Sequence, residues 1–327
     1  MKKIEVNKVS DSIKKSLVTR IITSIAIVLL FVPAVIIGDW FFAIIMLLLS
    51  FITNYEFINV LASKKFPLII DIFVFIMSTI FTYWVWGKQY FTDGIISSHG
   101  HIVLNDIGVS TLALATMMLI LFMFALMYSR FDVTDVCYLI SMSLLVSLGF
   151  QAFYFLRFAP MSSISGGYEY NGNHYLSCLL FFYVAIGSFM SDIGAYFIGI
   201  LFGKHKMNPR ISPKKTWEGF VGGIVFSFVC SFTYAILLDV NGIPLIKGIL
   251  DLEHWYFVLF ISLAMPFVSV LGDLLFSTIK RYYNRKDFSN VLPGHGGILD
   301  RIDSLLVTSL VVTLLILAID FYGGLLG

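Results

Sequence analysis

The chain has 327 residues, of which 58% are apolar and 13% charged, and its formal net charge is +2. An average soluble domain has about 25% charged residues, so this composition excludes an ordinary water-soluble protein and indicates a membrane protein. The net charge by itself says little, and we expect no nucleic-acid partner.

Nine apolar windows follow one another along the chain. A transmembrane α-helix needs roughly 20 mostly apolar residues to cross about 30 Å of hydrocarbon. The windows are 19–38, 40–62, 67–87, 108–128, 135–157, 176–202, 218–239, 254–280 and 301–322. The first is longer than the apolar part of a signal peptide and lacks an A-x-A cleavage site, so we expect a retained helix. The sequence predicts an all-α polytopic integral membrane protein with about nine transmembrane helices.

Basic residues fall almost entirely in alternate loops. If the amino terminus and every second loop face the cytoplasm, that side holds 19 of the 22 Lys and Arg residues. The other side keeps only Lys88, Arg157 and Lys247. This distribution follows the positive-inside rule. It predicts a multi-pass protein of the cell membrane with a cytoplasmic amino terminus and an outward carboxyl terminus.

The chain shows no internal repeat and no linker between folding units. We therefore predict a basic cytoplasmic segment at 1–18 and a single membrane domain at 19–327. Two Gly-x-x-x-Gly spacings, at Gly199 and Gly203 and at Gly219 and Gly223, allow helices to approach closely.

Acidic residues lie inside the apolar windows or at their ends. Each costs about 2.5 to 3.5 kcal/mol at a helix centre, so each needs a partner or a function. The candidates that matter are Glu56, Asp71, Asp192, Asp273, Asp300 and Asp303. Asp71 is close enough to Lys65 to be interfacial, whereas four of the others converge on the basic side.

Helical spacing groups these carboxylates with other polar side chains. Asp273, Ser277 and Lys280 share one helix face, and Asp300 and Asp303 open the last helix. A structural network is one interpretation, with Asp273 pairing with Lys280 and Asp300 pairing with the adjacent arginine. Several carboxylates on the basic side of a membrane favour another one, a bound divalent cation together with phosphate groups.

Two basic loops point to the same kind of ligand. The loop 203–219 carries six cationic or histidine side chains, and the loop 280–301 follows its cations with a glycine-rich run. Glycines let backbone N–H groups approach phosphate oxygens. The first loop is not a P-loop, because three residues separate Gly199 from Gly203 where four are required. Contact of that loop with anionic lipid is the alternative.

The second of these loops lies within a longer motif. It reads Ser277-Thr-Ile-Lys280-Arg281, then after four residues Lys286-Asp287, then Leu292-Pro293-Gly-His295-Gly296-Gly297-Ile298-Leu-Asp300-Arg301-Ile302-Asp303. This motif resembles the signature of the phosphatidate cytidylyltransferases, also called CDP-diacylglycerol synthases. A second block, from Ser191-Asp192 to Glu218-Gly219, is also similar to that family. The resemblance is strongest over 190–304, where we place the catalytic motifs.

The resemblance implies transfer of the cytidylyl group of CTP to phosphatidic acid, giving CDP-diacylglycerol and pyrophosphate, with Mg²⁺ required. The implied catalytic residues, at the cytoplasmic side of the carboxyl-terminal helices, are Asp273, Ser277, Lys280, Arg281, Asp300 and Asp303. Asp273 and Asp300 would hold the metal, and Asp303 would lie near a second cation. The identity of that second cation stays open. The implied substrate-binding residues are Asp192, Lys214, Lys215, Lys286, Asp287, His295, Gly296, Gly297 and Arg301.

Some alternatives stay open. His295 either orients a phosphate or shapes the glycine loop. A related CTP-dependent lipid enzyme, either a CTP-using lipid kinase or an archaeol cytidylyltransferase, is one rival function. A cation-coupled transporter is another, but it predicts inverted repeats and a site near the bilayer midplane, and the sequence shows neither. The expected partners are CTP, phosphatidic acid and the bilayer, and a homodimer is as open as a monomer.

Overall fold

The computed structural model describes residues 11–61, 67–93, 102–158, 178–294 and 296–326. In these residues it contains nine α-helices, and each of the nine predicted windows overlaps one of them. They are α1 (Asp11–Ile37), α2 (Asp39–Asn59), α3 (Leu68–Asp93), α4 (Ile102–Met127), α5 (Val133–Phe158), α6 (Cys178–Phe202), α7 (Trp217–Val240), α8 (Trp255–Tyr282) and α9 (Leu299–Leu326). Most of the predicted segment 1–18, and His295, lie outside the described residues.

Six of these helices are long and apolar enough to cross a membrane, namely α2, α5, α6, α7, α8 and α9. The described apolar parts of the other three are shorter, at Ile21–Ile37, Leu68–Tyr83 and Leu114–Met127. Large apolar side chains also face outward, and Leu126 is 88% exposed. Such a surface is stable against lipid and unfavourable in water. The predicted class of helical, multi-pass membrane protein is therefore confirmed.

A small β-sheet lies between α6 and α7, an element that the all-α prediction did not include. Its antiparallel strands are β1 (Lys206–Asn208) and β2 (Ser212–Thr216). Thr216 ends the second strand and also caps α7, because its hydroxyl oxygen accepts a hydrogen bond from the backbone N–H of Gly219 at 3.1 Å. The hairpin thus leads directly into the next helix.

Small residues let α6 and α7 pack with their backbones close together. A Cβ atom on Gly219 would lie 2.7 Å from the carbonyl oxygen of Ala195, and one on Gly223 would lie 2.7 Å from that of Ser191. The close contact predicted from the Gly-x-x-x-Gly spacing is therefore confirmed for helices α6 and α7.

Helix α8 packs between α6 and α9 through small and polar residues. The hydroxyl oxygens of Tyr183 on α6 and Ser262 on α8 are 2.6 Å apart. On another part of α8, a Cβ on Gly272 would come within 3.0 Å of Val307 on α9. These contacts bring together the three helices that carry the predicted carboxylates.

The loops predicted to be cytoplasmic meet at one end of the helices. The guanidinium group of Arg285 donates to the carbonyl oxygen of Asn59 at 3.0 Å, and that of Arg281 donates to the carbonyl oxygen of Ile211 at 3.3 Å. The opposite end of α2 lies near Arg157, which is buried and donates to the last carbonyl groups of α1. Arg157, assigned to the outer side, therefore stabilises the negative end of a helix dipole.

Candidate active site

Asp273 lies in the carboxyl-terminal half of α8, where its side chain is 28% exposed. Its Oδ2 atom is 2.5 Å from the ammonium nitrogen of Lys215 on β2, and its Oδ1 atom accepts a hydrogen bond from Ser277 at 3.3 Å. The hairpin therefore brings one cation to a carboxylate that the helix presents to solvent.

Asp300, in the first turn of α9, is buried and carries more partners. Its Oδ1 atom is 2.7 Å from Lys280 Nζ, and its Oδ2 atom accepts from the backbone N–H groups of Phe288 at 2.8 Å and Gly297 at 3.0 Å. The pairings considered from the sequence are not the ones formed. Asp273 pairs with a lysine of the hairpin, and Asp300 pairs with Lys280, while Arg301 is exposed.

Asp303 and Asp192 complete the cluster. Asp303 Oδ2 lies 4.0 Å from Lys280 Nζ. Ser304 joins the two carboxylates, since its hydroxyl oxygen is 3.3 Å from Asp303 Oδ1 and 3.3 Å from Asp192 Oδ2. Four carboxylates from α6, α8 and α9 thus converge, and we refer to Asp192, Asp273, Asp300 and Asp303 as the carboxylate cluster.

The cluster suits a divalent cation. In the described part of the chain its ion pairs are with Lys215 and Lys280. When all four carboxylates are ionised, the two ammonium groups leave two negative charges, which one Mg²⁺ would neutralise. The donors are carboxylate and hydroxyl oxygens, the ligand type that Mg²⁺ prefers. The donor types and the charge of the cluster therefore fit the predicted metal.

A cavity of about 180 Å³ opens beside the cluster, between α6, α7, α8 and the hairpin. Lys214, Lys215, Asp192 and Thr216 contribute polar groups to its wall, and Phe220 is one of its apolar lining residues. The structure thus places both lysines predicted to bind the nucleotide at a space next to Asp273.

The other predicted site residues surround this region. Arg281 is exposed, but its guanidinium group also holds two backbone carbonyl oxygens, those of Ile211 and Arg285. Gly296 has a φ of +85° and pairs with Leu292, which closes the tight turn of the glycine-rich loop. Lys286 and Arg301 are exposed, and Asp287 is half-buried against Gly296.

Sequence reasoning did not assign Glu56 to the site. This carboxylate, in the last turn of α2, is completely buried and accepts hydrogen bonds from the glycine-rich loop and the start of α9. Its one signal in the sequence was an acidic residue at the end of an apolar window. That signal gives no information about which loop it contacts.

The helices define a multi-pass membrane protein that carries a cluster of carboxylates and lysines at one end. The chain belongs to the Cytidylyltransferase family, which it matches over residues 18–319. The family resemblance seen in the sequence is thereby confirmed.

Relatives support this assignment along nearly the whole chain. The chain is 30% identical over 310 residues to the phosphatidate cytidylyltransferase of Staphylococcus saprophyticus. The alignment covers 92% of this chain and 99% of that protein. It is 44% identical over 125 residues to that of Bacillus subtilis, covering 38% and 42% of the two chains. For the Mycobacterium tuberculosis protein of the same name the identity is 40% over 152 residues, covering 45% of this chain and 41% of that one.

Proposed function

We propose that this chain transfers the cytidylyl group of CTP to phosphatidic acid, giving CDP-diacylglycerol and pyrophosphate. An oxygen of the lipid phosphate attacks the α-phosphorus of CTP, and the bond from that phosphorus to the oxygen bridging the β-phosphorus breaks. The observation that supports this most strongly is the carboxylate cluster with its lysines, in a chain of the Cytidylyltransferase family.

We assign Mg²⁺ to Asp273 and Asp300, with Asp303 near a second cation. When bound, the metal supplies neutralisation of phosphate charge during the transfer. The protein's own cations contribute to the same end, because Lys215 and Lys280 already lie among the carboxylates. Ser277 and Arg281 would hold phosphate oxygens, and Lys214 would meet the nucleotide at the cavity. Such a reaction depends on alignment and charge more than on a covalent intermediate.

The proposed orientation places this site on the cytoplasmic side, with nine spans and the amino terminus inside. The positive-inside distribution of 19 of 22 basic residues supports it. So does the meeting of the hairpin, the end of α2 and the loop before α9 at one end of the helices. A site there could receive CTP from water and phosphatidic acid from the bilayer.

The test is an assay with purified full-length protein, phosphatidic acid, MgCl₂ and CTP labelled in turn at the α- or the γ-phosphorus. We expect the α-label in the lipid and the γ-label in pyrophosphate, with activity lost on chelation and restored by Mg²⁺. Transfer of the γ-label to the lipid would instead identify a kinase. Absence of any labelled lipid from folded protein would refute the proposal.

A further inference from the structure

Glu56 is a fully buried carboxylate that the proposed reaction does not use. It lies one turn or less before the end of α2, in the amino-terminal half of the chain, with no exposed surface. An ionised side chain at such a position is costly unless strong hydrogen bonds satisfy it. The groups that satisfy it therefore indicate what it does.

Three donors contact this carboxylate, and all belong to the segment that leads into α9. Oε1 accepts from the hydroxyl of Ser289 at 2.7 Å and from the backbone N–H of Ile298 at 2.8 Å. Oε2 accepts from the backbone N–H of Leu299 at 2.7 Å. Leu299 is the first residue of α9, so Glu56 satisfies N–H groups that a helix start leaves without intrahelical partners. It also places a negative charge at the positive end of the helix dipole.

The same contact explains why residue 297, the second of two adjacent glycines in the loop, has no side chain. A Cβ atom on Gly297 would lie 2.8 Å from Oε1 of Glu56, so a side chain there would displace the carboxylate. The backbone N–H of Gly297 donates to Asp300 at 3.0 Å. The N–H groups of three successive residues are thus held by two carboxylates, that of Gly297 by Asp300 and those of Ile298 and Leu299 by Glu56.

We propose that Glu56 is a positioning residue, which fixes the first turn of α9 and thereby the carboxylates of Asp300 and Asp303. This inference rests on the proposed function of the same site. Glu56 does not reach the reacting atoms, and it acts through the backbone at Ile298 and Leu299. Misplacement of reacting groups by about 1 Å can reduce a rate about 10²-fold, so the loss of this support should appear in the rate of the chemical step.

The first experiment compares Glu56→Gln with wild-type protein in detergent or nanodiscs. Glutamine keeps the shape, but its amide nitrogen would face an N–H donor. We expect kcat to fall about 10²-fold, while KM for CTP changes less than about threefold. Glu56→Asp keeps the charge and should restore part of the lost kcat.

The matched control is Asn54→Ala, which removes another fully buried polar side chain from α2. Asn54 contacts Ser78 and Thr79 on α3 and not the loop. The Asn54→Ala variant should have a lower melting temperature and an unchanged kcat of the folded fraction. A general weakening of α2 would instead reduce kcat equally in both variants, and that result would overturn the proposal.

A double-mutant cycle adds a second criterion. Gly297→Ala should reproduce the kcat defect of Glu56→Gln, and the two changes together should cost little more than either one, because both break the same contact. Additive losses would contradict a shared role.

Hydrogen exchange separates this inference from the proposed function. In Glu56→Gln the amides of 296–303 should exchange faster, with those of α6 unchanged. If wild-type protein makes no CDP-lipid, the proposed function fails, and the exchange result then decides whether Glu56 holds the loop. If wild-type protein is active and Glu56→Gln has normal kcat and normal exchange, the positioning role is refuted.

Discussion

The two carboxylates proposed to hold Mg²⁺ differ in how the fold uses them. The Asp273 side chain is 28% exposed, although the ammonium nitrogen of its partner Lys215 is itself buried. Asp300 is buried, and it also neutralises the buried Lys280 and holds two backbone N–H groups. The same substitution should therefore have different effects on stability at the two positions, although both positions serve the same proposed reaction.

For Asp273→Asn we expect activity to fall by about 10³-fold or more, because a charge that would hold the metal is lost. The free energy of unfolding should change by about 1 kcal/mol, less than for the buried Asp300, since the side chains of Lys215 and Asp273 are 23% and 28% exposed. Activity assays and thermal unfolding in detergent measure the two quantities. Near-normal turnover with Mg²⁺ would rule out the metal assignment.

For Asp300→Asn we expect the same loss of activity together with a loss of stability. Removing one partner of a buried ion pair leaves the other charge uncompensated and costs about 3 kcal/mol or more. The double variant Asp300→Asn with Lys280→Met should recover part of the melting temperature but none of the activity. Full stability of the single variant would show that Asp300 does not hold the loop.

At the scale of elements, the hairpin connects the water-exposed surface to the carboxylate cluster. Adjacent residues of a strand point to opposite faces. On β2 this places the ammonium group of Lys215 against Asp273 and leaves Lys214 exposed beside the cavity. The two lysines, equivalent in the sequence, should therefore contribute unequally.

We expect Lys215→Gln to lower kcat/KM for CTP about 10²-fold, the range for removing one group that stabilises developing charge. Lys214→Gln should lower it less than about tenfold and mainly through KM. Steady-state kinetics at varied CTP concentration measures both. A larger effect at Lys214 would contradict the geometry of the hairpin.

The α6–α7 interface gives a prediction about stability alone. Gly219→Ala would place a methyl group 2.7 Å from a backbone carbonyl oxygen, so the helices must separate, at a cost of about 1 to 3 kcal/mol. Gly199→Ala is the control, because its nearest neighbour is the hydroxyl oxygen of Thr216 at 3.3 Å, on a side chain that can shift. The melting temperature in detergent should fall clearly more for Gly219→Ala than for Gly199→Ala. Equal shifts would contradict the close approach seen at Gly219.

At the scale of the whole molecule, the distribution of charge and the packing of the ends agree. The basic loops lie at the end where the carboxylate cluster is found, and Arg157 lies at the other end, bonded to the carbonyl groups that terminate α1. A single orientation in the membrane would therefore place on one side all the predicted site residues that the structure describes.

We expect single cysteines at Lys247 to be labelled by a membrane-impermeant maleimide added outside intact cells, and those at Lys206 to be labelled only after permeabilisation. Both side chains are exposed, so the membrane should be the barrier. The background protein would lack Cys137, Cys178 and Cys230, and its activity would show that it folds. The reverse labelling pattern would overturn the proposed orientation.

The helices and the charged residues near their ends could be predicted from the sequence, because hydropathy and charge are local properties. Each apolar window of about 20 residues must form a helix to satisfy its backbone in lipid, whatever it packs against. The carboxylates at the ends of the windows and the motif of 277–303 were visible for the same reason. The hairpin was not, because its short strands carry no apolar period.

Only the tertiary structure decided which groups meet. Lys215 and Asp273 are in contact although the whole of α7 lies between them in the chain. Glu56 contacts Leu299, which is 243 residues further along. Helical periodicity predicts neighbours three or four residues apart, and it has no information about contacts between helices. Such contacts depend on where residues are small enough to let two segments pack closely, as at Gly219 and Gly297. The sequence by itself therefore determined the class of protein and the charged groups near the ends of its helices, whereas packing determined the partners of those groups.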